Sequence, residues 1–230
     1  MKISILTLFP QMFKGPFDFS IVKRAVEKKI VEIKFIDIRE FGIGKHKIVD
    51  DKPYGGGIGM ILKVDILKKA IDKAIDKNLT ENEQKIILLS AGGKIYTQQK
   101  AKELSRLKHL IIICGHYEGV DERIKEFIDE EISVGNFVLT GGEIPAMIIT
   151  DSVTRLIKGV LKDGATINES FSQENTLEHP QYTRPAKFGN LFVPEILLSG
   201  NHKLISEWKE KQSIKKTKDV KNSSAKKARS

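Results

Sequence analysis

Three short stretches bring glycine together with polar and aromatic side chains: SAGGKIY at 90–96, GHYEGVDER at 115–123 and GNFVLTGGEIP at 135–145. Six of their glycines stand at expected strand ends: Gly92, Gly93, Gly115, Gly119, Gly141 and Gly142. A missing side chain lets backbone N–H and C=O groups come close to a bound molecule, so three such loops in succession read as a ligand cradle more readily than as plain turns. Two standard nucleotide cradles do not fit. Gly93-Lys94 has Leu88 where a P-loop needs its earlier glycine and Ile95 where it needs Ser or Thr. The GGGIGM stretch at 55–60 does not satisfy G-x-G-x-x-G and does not directly follow an expected strand. A dinucleotide-binding dehydrogenase and a P-loop NTPase are disfavoured accordingly.

The elements that must position these loops alternate along the chain. Apolar runs at 3–8, 31–38, 85–90, 110–114 and 132–139 are expected strands. Helical spacing falls between them, at 21–29, from Asp65, at 97–107, at 121–128 and at 145–158. In the second of these helices Ile66, Leu67, Ala70, Ile71, Ala74 and Ile75 share one face. The alternation predicts an α/β fold with a mainly parallel sheet. In such sheets ligands bind outside the carboxyl ends of the strands, where the three loops begin.

Residues 161–190 break the rhythm with Gly164, Asn168, Ser170, Ser172, Asn175, Pro180 and Pro185, and helical spacing resumes over 193–216. The expected organisation is an α/β domain over 1–160, a linker at 161–176, a small helical domain at 177–217 and a basic tail at 218–230.

With 40% hydrophobic and 30% charged residues the chain can bury a substantial core. No apolar run approaches the roughly 20 residues of a membrane span, and MKISILTLFP lacks a signal peptide's cleavage site, so a cytoplasmic location without membrane partners is expected. Cys114 is the one cysteine, which rules out an intrachain disulfide and a cysteine-based zinc cluster and reads as a buried thiol ending a strand. Of the formal charge of +9, residues 211–230 carry +7, leaving +2 for 1–210. The basic stretch is poor in large apolar residues and is not expected to fold alone; it would suit phosphate contacts that gain affinity by counterion release.

Several separated stretches resemble one family. CGHYEGVDERI at 114–124, IDEEISVGNFVLTGGEIPAM at 128–147, KHKIVDDKPYGGGIGM at 45–60, YTRP at 182–185 and LLSGNHKLISEWKEKQS at 197–213 are collinear with the bacterial tRNA (guanine-N1)-methyltransferases. These form a branch of the trefoil-knotted SPOUT methyltransferases, and the resemblance extends from residue 1 to about 217. It implies a knot in the C-terminal half of the sheet, a homodimer whose active sites are each completed by the second subunit, and S-adenosyl-L-methionine as methyl donor. By position, it implies a donor site at Leu89, Ser90, Gly115, Tyr117, Glu118, Gly119, Val134, Gly135, Asn136, Phe137, Val138, Leu139, Gly141, Gly142 and Pro145. The acceptor it implies is N1 of guanosine 37 in tRNA, beside the anticodon. A divalent-cation requirement stays open, with no residues to carry it.

Methylating guanine N1 requires loss of the N1 proton and tolerance of negative charge spreading onto O6, so a carboxylate and a cation should flank the base. The resemblance supplies them as Glu169 in NESF (168–171), where the family usually has Asp, and Arg155 in DSVTRL (151–156). Without the family, Glu169 reads as a solvated loop acid and Arg155 as a partner for Asp151 one turn earlier. His46 and His116 could act as bases, although loop histidines are more often neutral surface groups. For the RNA, Lys45, His46, Asp50 and Tyr54 in the long loop 39–60 suit phosphate, backbone and base-stacking contacts. Arg184, His202 and Trp208 in the C-terminal unit would grip the anticodon arm. Two alternatives remain: a knotted methyltransferase for another RNA position, and a non-catalytic RNA-binding protein.

Overall fold

The structure, a computed structural model, describes residues 1–173 and 176–227. It divides into two compact units, Met1–Lys162 and a second beginning at Asp163.

The first unit starts with β1 (Lys2–Thr7), α1 (Ser20–Glu27) and β2 (Glu32–Asp37). A short antiparallel pair follows, β3 (Asp50–Asp51) and β4 (Ile61–Leu62), then α2 (Val64–Ala74), β5 (Gln84–Ile95), α3 (Gln98–Leu104), β6 (His109–Cys114), β7 (Glu130–Ser133) and α4 (Glu143–Thr154). The five long strands form one parallel sheet in the order β2-β1-β6-β5-β7. The α/β expectation from the alternating pattern therefore holds, and the sheet is wholly parallel.

Alternation along each strand divides the core into two layers, one on each face of the sheet. Ile3 and Ile5 of β1, with Leu110, Ile112 and Cys114 of β6, pack with Val22 and Ala25 of α1 and with Ala146, Ile149 and Val153 of α4. Leu6, Ile111 and Ile113 face the other way, onto Ile66, Leu67, Ala70, Ile71 and Ala74 of α2. The central strand β6 is buried at all six positions, which is why its sequence is a continuous apolar run: helices cover both faces of a parallel sheet. Its one polar residue, His109, is satisfied by neighbours, with Nε2 2.9 Å from Ser4 Oγ and Nδ1 3.0 Å from Gln84 Oε1. Burial, with the Lys2 charge adding to it, pushes the His109 imidazole down to about 4.

Several expected elements differ in extent: β5 runs past the expected Ser90 to Ile95 and α3 stops at Leu104, and three further changes bear on the site. β7 stops at Ser133 instead of continuing to 139, because the Ser133 hydroxyl turns the chain, donating to Gly135 O at 2.9 Å. Val138 beyond it is 87% exposed, so the apolar letters of 134–139 line a loop. α4 begins at Glu143 and ends at Thr154, earlier than expected at both ends, with Pro145 in its first turn, where a proline's missing N–H costs nothing. The expected helix at 121–128 is a 3-10 helix over Glu122–Phe127, opened by the Asp121 side chain accepting Arg123 N–H.

The second unit contains a two-stranded antiparallel hairpin, β8 (Lys187–Phe188) with β9 (Leu191–Phe192), then α5 (Glu195–Leu198) and α6 (His202–Lys227). Asn201 Oδ1 accepts Leu204 N–H at 3.2 Å at the start of α6. The segment after residue 176 lies along that helix: Thr217 Oγ1 accepts Leu177 N–H at 3.0 Å and Ser213 Oγ donates to Leu177 O at 2.5 Å. α6 also runs through 218–227, which composition marks as unlikely to fold alone; residues 228–230 lie outside the described residues.

Candidate functional site

A bulge within β5 and the carboxyl ends of β6 and β7 open into one cleft of about 370 Å³, within the roughly 300–1,000 Å³ usual for small-molecule sites. Each loop reaches it by a different device. β5 pairs Leu89 with Ile132 and then Lys94 with the same Ile132, so residues 90–93 are looped out as a bulge inside a strand and not appended to its end. Gly93 makes that possible: a Cβ there would lie 2.6 Å from the Ile132 backbone.

The loop after β6 turns sharply, with Tyr117 held at φ 59° and Gly119 at φ 134°. A left-handed conformation is unfavourable for a bulky side chain such as Tyr117, and it is kept because its neighbours are pinned. Gly119 N–H donates to His116 O at 3.1 Å, Glu118 N–H to Met60 O at 3.1 Å and Leu62 N–H to Gly119 O at 3.0 Å. The long loop ahead of β4 thus supports the second cradle loop from behind.

The third loop closes onto the second. Gly142 N–H donates to Gly115 O at 2.8 Å, and a Cβ on Gly142 would stand 2.6 Å from Cys114 Cα. At Gly141 the obstacle is side chains: a Cβ would lie 2.5 Å from Glu143 Oε2 and 2.6 Å from His116 Nδ1. Neither needs a left-handed backbone; Gly142 demands glycine for space alone because its neighbours are backbone, whereas at Gly141 a side chain would have to displace Glu143 and His116.

The cleft collects Leu89, Ser90, Gly115, Tyr117, Glu118, Gly119, Val134, Gly135, Phe137, Val138, Leu139, Gly141, Gly142 and Pro145, and Asn136 alone of the fifteen expected donor-site residues is not in its lining. Exposed apolar surface from Tyr117, Phe137, Val138 and Leu139 meets backbone polar groups of the glycine turns, a combination suited to a flat heteroaromatic ring with polar edges. On its rim, Lys125 is held by Glu122 at 2.6 Å and Glu131 at 3.1 Å. Beneath it Cys114 is fully buried, and that burial, with the nearby Glu143 charge, pushes its thiol well above the usual range, so it is no nucleophile.

Sequence reasoning missed one residue and gave another a different setting. Glu143 is 2% exposed, and one of its oxygens, Oε1, accepts the Thr7 hydroxyl at 2.8 Å. A Glu opening a helix ordinarily marks a solvated first turn, so nothing in the sequence signalled its burial. His116, named from sequence as a possible base but as a loop histidine more often a surface group, has the Phe9 and Tyr117 rings against it, centroids 4.9 and 5.0 Å away.

Arg155 follows α4 as its C-cap, with its N–H on Asp151 O at 3.1 Å. Glu169 belongs to the second unit, in a tight turn where Ser172 N–H donates to Glu169 O at 3.0 Å and Ser170 Oγ accepts Glu178 N–H at 3.0 Å. Of the RNA candidates, Lys45 and His46 are exposed, Asp50 is half-buried on β3 and Tyr54 projects fully into solvent. Arg184 and His202 are exposed in the second unit, where half-buried Trp208 has the Tyr182 and His179 rings 6.3 and 6.4 Å away. Among the described residues no group of three or more His, Cys, Asp or Glu converges as a metal centre, and no helix is long and apolar enough to cross a membrane.

Residues 1–227 match the family model described as tRNA (Guanine-1)-methyltransferase TrmD. A tRNA (guanine-N(1)-)-methyltransferase of Dictyoglomus turgidum is 52% identical over 94% of this chain and 86% of its own length. Enzymes of the same name from Geobacillus kaustophilus and Endomicrobium trichonymphae are 53% and 47% identical, over 94% and 95% of this chain and 88% and 97% of theirs.

Proposed function

The chain belongs to the tRNA (guanine-N1)-methyltransferase family, and from that premise we propose that it methylates N1 of guanosine 37 in tRNA, with S-adenosyl-L-methionine as donor. The single observation that carries the donor half is the convergence of three glycine-rich loops on one cleft, with backbone leaving no room for side chains at Gly93 and Gly142. Bound there, the donor supplies an electrophilic methyl on a sulfonium.

The chain's own residues do the rest. Backbone groups of the glycine turns hold the polar edges of the donor, while Phe137, Val138 and Leu139 cover its apolar surface and exclude water. Glu169 takes the N1 proton of guanine, and Arg155 faces the charge that spreads onto O6. Acceptors opposite N1–H and N2–H select guanine, since adenine offers neither donor there.

Further parts of the reading rest on the same family. The C-terminal half of the sheet is read as a trefoil knot, supported by the return of the chain from β7 across the end of β6 at Gly142 and Gly115. The working unit is read as a homodimer, supported by Ile144 and Ile148, one turn apart on α4 and 46% and 45% exposed, an apolar stripe suited to a second copy. The Lys45–Tyr54 loop and the Arg184, His202 and Trp208 unit are assigned to the anticodon arm, and a tRNA substrate fits a cytoplasmic enzyme.

The test is methyl transfer from labelled donor to two transcripts of one tRNA, differing only in G37 or A37. Product 1-methylguanosine from the first and no label in the second is expected. Transfer to A37, or a methylated nucleoside other than 1-methylguanosine, would overturn the assignment.

A further inference from the structure

One polar cluster under the cleft is not accounted for by the methyl-transfer chemistry. Glu143 is 2% exposed, and a carboxyl so placed costs several kcal/mol in lost hydration unless its oxygens are used. Thr7 uses one oxygen, donating to Oε1 at 2.8 Å, and Thr7 is itself fixed because its hydroxyl accepts Phe9 N–H at 2.9 Å. The other oxygen, Oε2, faces His116 Nδ1 at 3.9 Å, beyond hydrogen-bond reach. That nitrogen is buried and has no hydrogen-bond partner among the described residues. A buried, unpartnered ring nitrogen thus faces a carboxylate oxygen across a short gap. Gly141 stands beside it, where any side chain would strike both.

The three contributors come from three places in the sheet: Thr7 ends β1, His116 follows β6, and Glu143 opens α4 after the loop from β7. His116 is also continuous with the donor cradle, being flanked by Gly115 and Tyr117 and bridged through its backbone to Gly141. We infer that Glu143 and His116 are a positioning couple: closing the gap from 3.9 Å to a hydrogen bond of roughly 2.8 Å locks the second and third cradle loops together around the methyl donor. Thr7 holds the carboxyl in place, and the Phe9 and Tyr117 rings limit the imidazole to a small rotation. Both are assigned to act through the loops that carry Tyr117, Glu118 and Gly142, His116 from the lining of the cleft.

This rests on the donor reading of the cleft, so the experiment separates the two. S-adenosylhomocysteine, the unreactive product, is titrated into the full chain and into H116F, E143A and their double variant. Phenylalanine keeps the ring against Phe9 and Tyr117 and deletes Nδ1. Each single change is expected to weaken binding about tenfold, and the double variant no further than either single. Loss falls on the donor Kd and not on the KM for tRNA, and E143Q, which can still accept from Thr7 and donate to Nδ1, binds within about threefold of the unaltered chain. If E143A fails to fold, T7V replaces it in the cycle with the same expected non-additivity. Independent, additive losses overturn the couple, as do unchanged affinities in the single variants. Absence of binding by the unaltered chain overturns the donor reading and the couple with it.

Discussion

At the scale of single residues, chemistry and support are divided between groups of different kinds. Arg155 and Glu169 are proposed to act on the base, so removing either should raise the barrier without disturbing the donor cleft. E169A and R155A are expected to lower single-turnover methyl transfer on the order of 10²-fold while donor affinity stays intact, measured by quench of labelled product beside donor titration. A variant with unaltered turnover has lost a residue that the mechanism does not need. Glu169 also shows where sequence reading has its limit. The motif around it proposes the carboxylate, but a side chain one methylene longer than the usual Asp is a matter of distance to a bound base, which letters do not encode. Glu143 is the opposite case: its letter pointed to solvent, and only the register of three strand ends buries it.

At the scale of elements, the donor cleft is a product of loop closure more than of side-chain choice. Gly142 has an ordinary backbone conformation, so alanine there is opposed solely by its contacts, 2.6 Å to Cys114 Cα and 2.9 Å to Gly115 N. Backbone cannot swing aside as a flexible side chain can. G142A is expected to lower stability by about 1–3 kcal/mol and to weaken donor binding more than tenfold, read by denaturant unfolding and by titration. Retained affinity would show that the two loops need not touch. Much of this level was legible beforehand. The alternating apolar runs gave the order of strands and helices, and α2's buried face matched its expected residues except Ile75, which leaves the helix as its C-cap. What escaped was turn chemistry: the bulge within β5 and the early end of β7 depend on hydrogen bonds of Ser133 and on packing of Gly93 against a neighbouring strand, non-local facts invisible to periodicity.

At the scale of the whole molecule, one buried imidazole links folding to pH. His109 joins β6 to Ser4 of β1 and Gln84 of β5, and its folded value near 4 lies below the ordinary 6.5. As pH falls through about 6.5 the unfolded chain takes up a proton that the folded chain refuses until about 4, so the stability due to neutral His109 is complete above that window and declines within it. Urea unfolding of the unaltered chain and of H109Q should show their stability difference shrinking by about 2 kcal/mol between pH 7.5 and 5. A difference constant over that range would remove His109 as the cause.

The same central strand ends in the chain's one thiol, sealed under the cleft with no exposed surface. A thiol-specific dye can reach that atom only when the packing around the end of β6 opens, where Cys114 pairs with Leu89 of β5 and lies under Gly142, so the protein carries its own clock for that opening. Every molecule bears a single label site whose reaction rate, under conditions where opening limits it, counts opening events instead of surface chemistry. A bound methyl donor, by stabilising the closed loops above it, would slow that clock in proportion to its occupancy.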